Sequence, residues 1–194
     1  MGFPVRLVNK KLLVFVWLGC LCFSCTGPGI PPGRNVCIDH ANIKHLGDKL
    51  FCNDTLFTGQ LYSLYPNKDS IMLEPYVIGK LNGIAKKWYP NRQLSEARNY
   101  IDGFREGIHQ GWYPSGKKRF VYHYHADLME GVAEDWYEDG KPMKKMHYKN
   151  GHESGMQTAW QPDGSLMANY MAKNGRNYGL TGVKNCKSVR DSIK

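Results

Sequence analysis

His123 and His125 stand two residues apart, and alternate residues of a strand face one side, so the pair has the spacing to chelate one ion. A zinc site needs three or four ligands of His, Cys or carboxylate type. The next histidine in phase, His147, would lie two strand spacings away, about 9–10 Å, which is too wide for a shared ion. The pair therefore reads as solvated, and no metal or other cofactor is expected. Cys186 is the second candidate. Lys184, Lys187 and Arg190 surround it, and neighbouring cations lower a thiol's pKa and raise its reactivity. It reads in three ways: the cap of a final strand, a site for an intermolecular disulfide, or a reactive thiol. Glu134 and Asp135 are adjacent; on a strand they point to opposite faces and cannot act together on one bond. No glycine-rich phosphate loop opens a helix and no nucleophile-and-base pair is discernible, so the expectation is a protein that is not an enzyme.

The tryptophans offer recognition chemistry instead. Trp88, Trp112, Trp136 and Trp160 are evenly spaced, and Tyr89, Tyr113 and Tyr137 follow the first three. With two strands between successive members they would form a row about 10 Å apart. Such a row stacks on sugar rings, grips an extended peptide, or stacks on its own neighbours to hold a one-layer sheet together. These seven residues form the candidate interaction face.

The N-terminus has the pattern of an export signal. Arg6, Lys10 and Lys11 precede the apolar run Leu12–Phe23, which is too short to span a bilayer comfortably and suits a signal-peptide core. Ser24-Cys25 ends the run, and a Gly/Pro stretch follows. A small residue before Cys at this point resembles the bacterial lipobox and makes Cys25 the candidate lipidation site. A cut before Cys20 would leave apolar Leu21–Phe23 on the mature chain, and an uncleaved anchor helix is a further alternative. An acylated chain sits on a membrane without crossing it. Residues 1–24 are thus read as signal peptide and 25–36 as a flexible tether. Cys37 and Cys52, 15 residues apart, are a candidate disulfide in an oxidising compartment. The chain has 26 Lys and Arg against 17 Asp and Glu. Without the three basic residues of the leader the excess is about +6 and forms no basic run, which argues against nucleic acid as a partner.

What must position the aromatic residues is a repeat. Gly59, Gly83, Gly107, Gly131, Gly155 and Gly179 recur at intervals of 24. Leu64 and the four tryptophans stand five residues later, and Tyr76, Tyr100, Tyr124 and Tyr148 seventeen later. Between them lie turn signals such as Pro114-Ser115-Gly116, and after them Asp102-Gly103, Asn150-Gly151 and Asn174-Gly175. Each unit is therefore a β-hairpin, too small to fold alone and stabilised by its neighbours. Ile84 with Trp88, Ile108 with Trp112, and Val132 with Trp136 share a face. No sustained 3.6-residue apolar period argues for helix. The expected fold is all-β, an elongated single-layer antiparallel meander of 24-residue hairpins. A capping segment spans 37–58, including a half-repeat at Lys49–Cys52; the array spans 59–179, and a degenerate unit or tail spans 180–194. Some eleven strands would separate Cys52 from Cys186 by about 50 Å, too far for a bridge, which needs Cα atoms within about 7 Å.

The pattern Gly-x4-Trp-Tyr-x-x-Gly followed by Tyr-x-x-Gly resembles the MORN-repeat variant, and Phe57-Thr58-Gly59 resembles the opening of such arrays. Many bacterial proteins of this kind are grouped as YwqK-type antitoxins. The resemblance covers about residues 47–180. It implies an antiparallel β-meander engaged in protein or membrane contacts, with no catalytic position in the repeat. The expected function is a membrane-tethered lipoprotein of the bacterial envelope, on the periplasmic side, that scaffolds or binds a protein partner. Glycan binding, peripheral lipid binding and antitoxin-like neutralisation of a partner are the alternatives.

Overall fold

The computed structural model describes residues 34–37 and 42–182. Residues 1–33, with the leader and Cys25, lie outside the described residues, as does Cys186. Every described element is a strand. Five hairpins follow one another at the 24-residue period. In each, a six-residue strand is answered by one of eight residues: Gly59–Leu64 with Ser70–Val77, Gly83–Trp88 with Leu94–Ile101, Gly107–Trp112 with Lys118–His125, Gly131–Trp136 with Pro142–Lys149, and Gly155–Trp160 with Leu166–Lys173. Successive hairpins pair edge to edge in one open 16-stranded sheet.

The unequal strand lengths have a cause that propensity does not reveal. The ladder of every hairpin slips just before the tryptophan position: Gly111 opposes Phe120, but Trp112 opposes Lys118, so Arg119 is the extra residue of a bulge. Ile71, Ser95, Met143 and Met167 are skipped in the same way. Bulges bend a strand and increase its twist, and here one sits at each step of the array.

The connections alternate between two turn types. At one end, Gly116 accepts a positive φ and donates its N–H to Tyr113 O, while Tyr113 N–H bonds Lys117 O. Lys68 and Arg92 take the same left-handed conformation without being glycine. At the other end two consecutive residues have positive φ, as type I′ turns require: Asp102-Gly103, Asn150-Gly151 and Asn174-Gly175, but also Ile78-Gly79 and Ala126-Asp127. The last pair lacks the expected glycine. Asp127 is held instead by Arg105, whose backbone N–H (2.8 Å) and Nε (2.9 Å) both donate to its carboxylate.

Two expectations are corrected at the N-terminal end. Arg34–Cys37 is not tether but a strand, and it pairs in parallel with Gly59–Leu64, so the sheet is not wholly antiparallel. Ile43–Leu46, Lys49–Cys52 and Thr55–Leu56 form a separate three-stranded sheet. It docks through Leu50, whose N–H bonds Gly79 O at 2.7 Å and whose carbonyl accepts from Phe57. Leu50, Cys52, Phe57, Leu61 and Tyr76 make a small hydrophobic core there. Cys52 lies buried within it. Its strand belongs to the docked sheet, whereas the backbone of Cys37 pairs beside Tyr62 in the main one.

Candidate functional site

Register divides the array into two faces, because paired residues share a side. The first face carries Leu61, Ala85, His109, Ala133 and Gln157, all buried, two residues after each leading glycine. Tyr76, Tyr100, Tyr124 and Tyr148 lie on the same side, each opposite a leading glycine. Its charges balance: Lys87, Arg98, Arg105, Arg119 and Lys144 against Glu74, Glu96, Asp127, Asp135 and Glu153. They largely satisfy one another. Glu96 accepts from Arg98 at 2.9 Å and Arg119 at 2.7 Å, both guanidiniums lie over the Phe120 ring, and Tyr122 donates to Asp135. A shallow depression of about 280 Å³ over Ala85 is lined by Glu74, Lys87, Glu96, Arg98 and Tyr100.

His109 is the most buried ionisable side chain of this face, 1% exposed. Its Nε2 meets Asn99 O at 2.7 Å, and its ring sits between those of Tyr100 and Tyr124. Desolvation holds its pKa below the usual histidine value, and the neighbouring Arg98 and Arg105 add to the shift. Two units on, Gln157 makes the equivalent bond to His147 O. The unfolded chain takes up protons near pH 6.5, whereas the folded one does so only at lower pH. The stability is thus present above about pH 6.5 and is lost as pH falls from there through the folded value. His109→Gln is expected to fold and to lose less thermal stability than wild type between pH 7.5 and 5; equal losses in a thermal melt would contradict this origin. His125 shifts the other way, raised by Glu106, but is fully exposed.

The second face carries the tryptophans. Ile84, Ile108, Val132 and Met156 follow the leading glycines, and Trp88, Trp112, Trp136 and Trp160 lie four residues on along the same strands, as the sequence pattern indicates. The tryptophans are half-buried, while Ile84 and Ile108 are 53% and 52% exposed and Met156 43%. Charges here do not balance: Lys80, Lys86, Lys118, Lys145, Lys149, Lys173 and Arg176 outnumber the acids, which are Glu134, paired with Lys145 at 3.2 Å, Asp102, paired with Lys80 at 3.3 Å, Glu106, which meets His125 at 3.1 Å, and Glu130, which accepts from Asn150 N–H.

The expected interaction residues are not all used alike. Tyr89, Tyr113 and Tyr137 give their hydroxyls to the backbone carbonyls of Trp112, Trp136 and Trp160, at 3.0, 2.8 and 2.9 Å, and Tyr65 does the same to Trp88. Each phenol clasps its hairpin to the next one. Their constant spacing was visible in the sequence, but its purpose, a bond between neighbouring units made by residues 23 apart, was not. Tyr113→Phe is expected to cost about 1 kcal/mol, read as a Tm lower by about 2–4 °C.

The histidines are likewise committed to structure. His123 Nδ1 lies 2.8 Å from Val132 O and His147 Nδ1 2.6 Å from Met156 O, one unit apart, while His125 faces Glu106. Among the described residues no three His, Cys, Asp or Glu side chains gather as a metal site would require.

This recurring geometry has a counterpart among known families. Residues 129–150 match the MORN repeat variant. The matched segment begins at the end of the short strand Leu128–Met129, covers the fourth hairpin and stops in the Asn150-Gly151 turn. The other MORN-like units are its copies by register, with the same bulge. No curated protein matches the chain.

Proposed function

We propose that this MORN-like array is a membrane-tethered lipoprotein of the bacterial envelope that scaffolds or binds a protein partner and catalyses no reaction. The observation that carries the reading is the second face, where evenly stepped tryptophans and exposed aliphatic residues stand on a repeating framework whose tyrosines clasp one hairpin to the next. Binding repeats place contacts along an extended surface in this way. The tether is Cys25, acylated after removal of residues 1–24.

The test is photocrosslinking in intact cells from Ile108, with membrane fractionation alongside. Recovery of one envelope protein in stoichiometric yield is expected, together with release of a Cys25→Ser variant from the membrane fraction. A Cys25→Ser chain that stays with the membrane ends the lipoprotein reading, and the absence of any adduct above background ends the binding reading.

A further inference from the structure

We propose that the tryptophan face binds an acidic segment in the polyproline II conformation, carrying one apolar residue in every three. The proposal rests on the reading of the array as a protein-binding surface and names the partner's chemistry.

The charge asymmetry comes first. This face holds seven cations against four acids, Glu134, Asp102, Glu106 and Glu130, each already bonded within the chain, whereas the opposite face holds five of each once Arg119 and Asp127 are counted. Apolar side chains remain exposed between the cations. A second copy of the chain laid against this face would oppose lysine to lysine, so the complementary occupant is acidic, with apolar groups of its own.

Spacing then selects the conformation. Equivalent residues such as Trp112 and Trp136, or Ile108 and Val132, are separated by two strands, about 9.6 Å across the sheet. A polyproline II helix has three residues per turn and rises about 9.3 Å each turn. Every third side chain of such a segment therefore meets the next unit in step, over four units, with a mismatch of about 1 Å in all. A fully extended strand, with same-side residues about 6.6–6.8 Å apart, does not keep this step. The sheet's twist rotates successive contacts, and a polyproline II segment, lacking internal hydrogen bonds, bends to follow it. Aromatic rows are a general means of recognising this conformation. A fluid bilayer would satisfy the charge but would not read the step.

The experiment uses the full chain and fluorescein-labelled peptides, read by anisotropy. The probe is five Leu-Pro-Glu triplets; the controls are a peptide of the same composition with its leucines clustered, and five Leu-Pro-Lys triplets. The in-step acidic peptide is expected to bind at least tenfold more tightly than either control. Lys86→Glu, Lys118→Glu and Lys149→Glu combined should weaken it at least tenfold, and Lys87→Glu with Lys144→Glu on the other face less than twofold, all with unchanged circular dichroism. Equal affinity for the clustered peptide, equal damage from the two sets of variants, or no binding overturns the proposal. Binding of phosphatidylglycerol vesicles through the same lysines without peptide binding assigns the face to lipid and overturns it as well. If the cellular crosslinks find a partner on the opposite face, the binding array stands and this assignment fails.

Discussion

Leu50→Ala is expected to cost about 2–5 kcal/mol, the range for truncating a large buried aliphatic side chain. Leu50 is wholly inaccessible to solvent and packs with Phe57, Leu61 and Tyr76 where the small N-terminal sheet meets the first hairpin. Its backbone also ties the two sheets, through Gly79 O and Phe57 N–H. An array of hairpins has little core elsewhere, since the other cluster of buried residues is built on Ala159, Ala168, Tyr170 and Ala172. Neighbour coupling in a repeat array makes the damage local. Amide exchange should therefore quicken across residues 43–81 while the fourth hairpin stays protected. Uniform loss of protection, or a cost under about 1 kcal/mol by denaturant titration, would contradict the assignment of Leu50 as the docking residue.

Gly79→Ala is expected to be comparably severe, and Gly175→Ala mild. Both glycines are second in a two-residue turn of positive φ, at +78° and +70°. Alanine in the left-handed region costs about 1–2 kcal/mol at either site. At Gly175 a Cβ would meet nothing within 4 Å. At Gly79 it would lie 2.7 Å from Leu56 Cδ2 and 3.0 Å from the Leu50 carbonyl oxygen, and the latter is backbone already engaged in docking. Overpacking of this kind adds about 1–3 kcal/mol. Urea denaturation of the two variants measures the difference directly, and equal destabilisation would mean that the cap does not press on the first hairpin.

Much of the fold was legible because it repeats. A 24-residue register without insertions states that one supersecondary unit recurs, and Pro and Gly at fixed offsets state where it turns. The assignment of the tryptophans and of Ile84, Ile108 and Val132 to one face follows from period-two alternation alone. The bulges were not legible: residues as unlike as Ile71, Ser95 and Arg119 occupy the extra position, so no side-chain preference marks it. At Ala126-Asp127 the register placed the turn, but not what holds a non-glycine residue there: Arg105, 22 residues away, donates to the Asp127 carboxylate.

The candidate site shows the same division. The even spacing of Tyr89, Tyr113 and Tyr137 was plain, but spacing cannot say whether a phenol faces a partner or its own neighbour; the carbonyls of the next unit decided it. The sequence by itself determined the unit, its turns and which side chains share a face, because these depend on backbone geometry over a few residues. Only the tertiary structure decided which equivalent positions differ in load, as Gly79 and Gly175 do, and that one face is cationic while the other is neutral. Those properties arise from residues brought together across strands, where charge and packing add without regard to separation along the chain.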